Sequence, residues 1–235
     1  MMMAPLIGHR GCAGHAPENT LASIHMAAQM GCGWIEADAS LLGDGSVILF
    51  HDDTLDRCTN GAGPIENLTW ADVRLLDAGA WWGTERKYAG ANVPLLSEAL
   101  MCCKSLGLGF NIELKVRGDE GEKLAFAVGE ILKTVDHGPV LISSFDMDAL
   151  QAFAGDAPKG LLYDILPDDW EKTAQNLDAQ TVHLWAEKAT QDQVDVIKHT
   201  GRAVYLFTIN DKSQMKLHNV DGVFTDFPDR IAEDV

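Results

Sequence analysis

Two histidines stand directly after short apolar runs. His9 follows PLIG and His51 follows SVILF, and charged residues come next in both places: Arg10 in the first, Asp52 and Asp53 in the second. A short aliphatic run usually ends in turn residues, so a titratable ring at its exit is a cost that a purely structural strand does not need. An imidazole titrates near neutral pH, and a pair of them can divide the duties of general base and general acid. Two further apolar runs carry acids. In WIEADAS, Glu36 and Asp38 are two apart, and in FNIELK, Glu113 and Lys115 repeat the spacing. Strand periodicity puts residues two apart on one face. Three carboxylates gathered on inward faces repel one another if buried without a partner, so the economical physical reason for the cluster is a hard divalent cation, Mg2+ or Ca2+, beside which the histidines would work. The plainer alternative leaves Glu36 and Asp38 solvated at a strand end and pairs Glu113 with Lys115. Two histidines at neighbouring exits favour the metal site.

These groups need elements to position them. The apolar runs PLIGH, WIEAD, FNIEL, VLISS, KGLLYD, VHLW, AVYLF and GVFTD read as strands. Between them lie segments with helical character, among them NTLASIHMAAQMG, SEALMCCKSLG, DEGEKLAFAVGEILKTV, MDALQAFAG, DDWEKTAQNL, TQDQVDVIKHTG and DKSQMKLHN. Continuous apolar strands alternating with helices indicate a parallel sheet covered by helices. Eight of them in 235 residues predict an α/β fold, the (β/α)8 TIM barrel, over an open doubly wound sheet. In such a barrel catalytic groups sit at the carboxyl ends of the strands. From about Asp53 to Asn92 the pattern breaks into Gly, Trp and turn residues with ENLTWADVRLL as its one helix-like piece. This stretch predicts a small insertion after the second strand, lying over the mouth of the barrel, and the whole chain 1–235 reads as one domain.

Composition narrows the function. Eighteen Lys plus Arg against 35 Asp plus Glu give a net charge of -17, a field that repels nucleic acid and anionic lipid surfaces. An anionic substrate then requires a local cation, either a metal ion or placed Arg and Lys side chains. Five cysteines, an odd number without CxxC spacing, suit a reducing compartment. The opening carries no basic and apolar leader, and no apolar run approaches the roughly 20 residues that span a bilayer. The expected location is cytoplasmic. No signal for an oligomeric state is present.

Taken in order, HRG at His9 to Gly11, APENT at Ala16 to Thr20, EAD at Glu36 to Asp38, FHDDTLDRCTNGAG from Phe50 to Gly63, NIELK from Asn111 to Lys115, SSFD at Ser143 to Asp146 and VDGVFTDFPD near the end resemble the glycerophosphodiester phosphodiesterase family over nearly the whole chain. The resemblance implies a barrel with a small inserted segment and hydrolysis of small glycerophosphodiesters to glycerol 3-phosphate and an alcohol. It implies that Glu36, Asp38 and Glu113 hold the metal, that His9 accepts a proton and His51 donates one, and that Arg10 and Lys115 meet the phosphate. It also implies attack on phosphorus by the neighbouring glycerol hydroxyl, giving a cyclic intermediate; direct attack by water stays open. The chain departs from the family at Phe207, where Trp is common.

Other residues read more plainly. Asn19 is expected to cap the helix after PENT, His183 to pack or hydrogen-bond inside the sixth strand, and Trp81 and Trp82 to form a satellite core. A sugar-phosphate lyase or isomerase would need a Schiff-base lysine or a Gly-rich phosphate loop, and a silent binding protein would not need both histidines. Net charge and the lack of a basic amphipathic helix predict a water-soluble, deacylated substrate and no stable membrane or nucleic-acid partner.

Overall fold

The structure, a computed structural model, describes residues 2–231. In chain order the elements are β1 (Leu6–Gly8), α1 (Leu21–Gln29), β2 (Trp34–Leu41), β3 (Val47–Leu49), α2 (Trp70–Val73), α3 (Leu96–Leu106), β4 (Gly109–Leu114), α4 (Gly121–Thr134), β5 (Val140–Ser144), α5 (Met147–Ala152), β6 (Lys159–Tyr163), α6 (Trp170–Asn176), β7 (Ala179–Trp185), α7 (Gln191–His199), β8 (Ala203–Phe207), β9 (Gly222–Thr225) and α8 (Pro228–Ile231). Eight strands run parallel in the order β1-β9-β8-β7-β6-β5-β4-β2, and pairing of β1 with β2 closes the sheet into a (β/α)8 barrel.

Alternation along each strand builds two cores. On β4, Phe110, Ile112 and Leu114 pack outward with Leu100 and Cys103 of α3 and with Leu124 and Val128 of α4. Asn111 and Glu113 face the barrel interior instead. Within the barrel, Ile7, Trp34, Leu141, Tyr205 and Phe224 make a separate cluster. Each fully buried Ile or Leu side chain contributes about 1.5–3 kcal/mol, so the outer cluster supplies most of the stabilisation and leaves the upper interior free to carry charge. Helix starts are defined locally: Thr20 caps α1 and Thr190 caps α7 through capping boxes.

Three local expectations change. The run SVILF forms only the short β3, which pairs antiparallel with β2 (Ala39 opposite Leu49, Leu41 opposite Val47), so His51 hangs from a hairpin beyond the barrel rim rather than from a barrel strand. DKSQMKLHN forms only a 3-10 turn at Lys212–Gln214; Met215 and Leu217, two apart, could not share a helical face. Asn19 does not cap α1, because Thr20 holds that place.

After β3 the chain runs through residues 50–95 over its own core of Phe50, Leu55, Cys58, Ile65, Val73, Ala78 and Val93. Trp81, Trp82 and Tyr88 stand edge to face outside that core, and the Tyr88 hydroxyl donates to the His15 carbonyl at 3.0 Å.

Candidate active site

Residues at the carboxyl ends of the strands build the site. Glu36 and Asp38 come from β2 and Glu113 from β4, in register with Asp38 across the strand pair. All three are buried, and one ligand-capable oxygen from each lies within 4.8 Å of the others. Burial and the Asp38 charge push Glu36 well above the usual carboxylate range, and the same two causes raise Glu113. Asp38 goes the other way: burial opposes its charge, but Arg10 and Lys115 overcome that and hold it low. Glu36 Oε1 has no hydrogen-bond partner. A buried oxygen left unpartnered, in a cluster of hard donors whose charges repel, is the signature of a site made for a hard divalent cation; the residues fit Mg2+ or Ca2+.

Both cations expected from sequence reach this cluster. Lys115 Nζ lies 2.6 Å from Glu113 Oε1 and 3.4 Å from Asp38 Oδ1. The Arg10 backbone N–H donates to Glu36 Oε2 at 2.9 Å, and its Nε is 3.4 Å from Asp38 Oδ2. Arg10 adopts φ 50°, a left-handed conformation uncommon for a non-glycine residue and costly enough to persist only where the surroundings over-determine it. The neighbouring Gly11 (φ 85°) lies so close to α1 that a Cβ would meet Ser23 Oγ at 2.3 Å. The HRG turn thus folds the guanidinium back over the acids.

His9 follows β1, and its backbone N–H donates to Thr225 of β9 at 2.9 Å. Its Nδ1–H donates to Asp226 Oδ1 at 2.7 Å, which turns Nε2 toward Glu36 Oε2, 3.9 Å away. Burial lowers the basicity of the ring, but the Asp226 hydrogen bond and the Glu36 charge outweigh it and the net shift is upward. Asp226 is itself held by Asn210, whose Nδ2 donates to Oδ2 at 2.7 Å. His51 is arranged alike, with Nδ1 donating to Asp52 Oδ1 at 2.7 Å. Its net shift is downward: burial disfavours the charged ring and Arg10 and Lys115 repel it, more than Asp38 and Asp52 compensate. His9, Arg10, Glu36, His51, Glu113 and Lys115 all line one cavity of about 170 Å³, walled by Phe145, Leu162, Phe207 and Phe224.

Several contributors were not legible beforehand. Asn19 bridges to the acids: its Nδ2 donates to Asp38 Oδ2 at 2.7 Å and its Oδ1 accepts from the Asp38 backbone N–H at 3.1 Å. Asp226, Asn210, Glu18 and Arg57 also belong to the surroundings of the site; Asp226, Glu18 and Arg57 lay in the quoted motifs, but nothing in one motif names its partner in another. His15 bonds Asp229 at 2.6 Å and does not line that cavity. His183 is fully buried, bonded to Thr181 Oγ1 at 2.8 Å and packed on Tyr205 and Phe224. Phe207 lines the cavity and meets Phe145 edge to face.

Carboxylates, imidazoles and cations converging on the open end of a closed parallel barrel define the class of barrel hydrolases that cleave phosphoric diesters. Comparison with known proteins narrows the class to one family. The sequence pattern of the Glycerophosphoryl diester phosphodiesterase family matches residues 9–230. A glycerophosphodiester phosphodiesterase from Caldanaerobacter subterraneus is 33% identical over 98% of this chain and 97% of its own. An Oleispira antarctica phosphodiesterase, solved in complex with the product sn-glycerol-3-phosphate, superposes with a TM-score of 0.90 at 37% identity, covering 98% of this chain and 96% of that one. An Agrobacterium tumefaciens glycerophosphodiester phosphodiesterase superposes with a TM-score of 0.79 at 26% identity, covering 98% and 100%. The chain belongs to the glycerophosphoryl diester phosphodiesterase family.

Proposed function

We propose that this protein hydrolyses small glycerophosphodiesters to glycerol 3-phosphate and an alcohol, with Glu36, Asp38 and Glu113 holding one divalent cation, Mg2+ or Ca2+. The observation that carries this reading is the buried three-carboxylate cluster with an unpartnered Glu36 oxygen, set between two histidines whose Nδ1 atoms are both tied to aspartates. A cation held there supplies Lewis-acid polarisation of the phosphoryl oxygen.

The chain's own groups do the rest. Arg10 offers a planar, two-pronged contact to the phosphate and Lys115 a point charge, so both stabilise charge that grows on phosphorus oxygens in the transition state. Because Asp226 and Asp52 hold the Nδ1–H of each ring, both histidines present Nε2 to the cavity, His9 to accept a proton from the attacking hydroxyl and His51 to give one to the leaving alcohol. With Glu36 engaged by a cation, less of its field reaches His9, and the ring stands more readily neutral, as an acceptor must. The order of the two roles follows the family resemblance.

The reading extends to the whole chain as one catalytic domain, with residues 53–92 an insertion beside the mouth. Net charge of -17 favours a dissolved, deacylated substrate over a membrane surface or nucleic acid. Five free cysteines favour the cytoplasm. Among the described residues no helix is long and apolar enough to cross a membrane. The test is a coupled assay for glycerol 3-phosphate on a panel of glycerophosphodiesters, with and without EDTA, beside phosphatidylcholine vesicles. Cleavage of the soluble diesters, lost in EDTA and restored by Mg2+ or Ca2+, is expected; turnover of vesicles at a comparable rate would overturn the substrate assignment.

A further inference from the structure

Arg57 lies in the DRCTNG stretch of the insertion and touches no group that would meet substrate. Its guanidinium nevertheless joins two carboxylates that do hold such groups. Nε donates to Asp52 Oδ2 and Nη2 to Asp52 Oδ1, both at 2.7 Å; Nη1 donates to Glu18 Oε2 at 2.6 Å and Nη2 to Glu18 Oε1 at 2.8 Å. Asp52 Oδ1 also accepts from His51 Nδ1, and Glu18 Oε1 also accepts from Arg10 Nη1 at 2.7 Å. One unbroken line of hydrogen bonds therefore runs His51, Asp52, Arg57, Glu18, Arg10, from the hairpin loop to the loop between β1 and α1.

We infer that Arg57 is a positioning residue that sets the aim of His51 and Arg10 together, so that the insertion takes part in the geometry of catalysis. This rests on the roles given to His51 and Arg10 in the proposed function. A planar guanidinium can engage two carboxylates edge-on with separate nitrogens, and an ammonium cannot reproduce that fork. The Arg57 side chain is 45% exposed, so its pairs are screened and their worth lies in orientation more than in stability. Glu18 is shared between two guanidiniums. Without Arg57, its charge falls on Arg10 alone and holds that side chain away from the phosphate, while Asp52 is free to turn and take the His51 ring with it.

The test compares R57Q and R57K with the unmodified protein, using glycerophosphocholine as substrate, melting temperature as a fold control and the imidazole NMR resonances of the metal-free protein as a direct readout. Loss of a supporting hydrogen-bond partner of this kind costs about ten- to hundredfold. We expect that loss in kcat for R57Q, a rise in KM, a little-changed melting temperature, a shifted or broadened His51 resonance, and a His9 resonance left in place by Asp226. R57K should not restore kcat, and R57Q combined with D52N should lose no more than the worse single variant, since both act along one line. Unchanged kcat in R57Q, full restoration by R57K, or kcat loss that tracks a fall in melting temperature would overturn the inference. H51A and R10A run alongside: full turnover in those sinks the role assignment beneath it, whereas their inactivity with full turnover in R57Q sinks the inference alone.

Discussion

The two histidines have the same local chemistry and opposite support. His9 leaves a barrel strand, its backbone is in the β1–β9 ladder, and the aspartate behind it is steadied by the neutral amide of Asn210. His51 leaves a three-residue strand that pairs only with the outer end of β2. Its backbone carbonyl and that of Asp52 are held by Arg117 at 3.3 and 2.7 Å, and its aspartate by Arg57. Half of the site is therefore fixed by main-chain hydrogen bonding and close packing, and the other half by guanidinium forks on a surface loop. The first kind of support is cooperative with the whole fold; the second can be removed one side chain at a time.

That contrast can be broken from several sides. The largest effect is expected at the carboxylates that both halves surround: chelation with EDTA, or E36Q or E113Q, should abolish measurable release of glycerol 3-phosphate in the coupled assay. Next come H9A and H51A, each expected to lower kcat by roughly two to four orders of magnitude with the fold intact by circular dichroism. D226N should cost about ten- to hundredfold in kcat, the ordinary share of a group that orients a reacting one. Equal losses in D226N and D52N would show that the two aspartates matter alike despite their different backing. Near-normal kcat in D226N would show that the barrel alone orients His9.

The smallest effect belongs to a third histidine that takes part in neither half. Burial depresses His183 from its ordinary 6.5 to about 3. Its neutral form is therefore native, its contribution to stability is complete above pH 6.5, and it is lost as the pH falls from 6.5 toward 3, because the unfolded chain gains a proton that the folded one refuses. The slope from this one group is at most about 1.4 kcal/mol per pH unit. Urea unfolding of H183Q should show a correspondingly shallower acid limb; an unchanged limb would mean that the ring is protonated in place.

How much of this was legible follows the same division. Period-two spacing placed Glu36 with Asp38 on one face, and apolar runs separated by helical segments foretold a closed parallel barrel. Those signals are local, so a strand or helix announces itself within a few residues. Asp226 meets His9 across 217 positions and Arg57 meets Glu18 across 39, and no short-range pattern encodes such pairs. Asn19 misled because an Asn before a helix has an ordinary use as a cap, and only the neighbouring Thr20 leaves it free to bond Asp38. The SVILF run had the composition of a barrel strand; its two-residue separation from Asp44-Gly45 made it a hairpin arm instead.

The inserted segment begins and ends at one doorway. Leu49 donates to the Pro94 carbonyl at 3.0 Å and Ile48 pairs with Leu95, so the chain leaves the rim after Phe50 and returns to the same strand edge more than forty residues later. With its two ends clasped by the backbone, the segment is a closed loop whose length is thermodynamically cheap to change, each doubling costing only about 0.6 kcal/mol in closure entropy. The barrel is indifferent to what hangs there. A descendant of this protein could exchange the segment for a longer or shorter one, and with it the groups beside the departing alcohol, without refolding the strands that hold the acids.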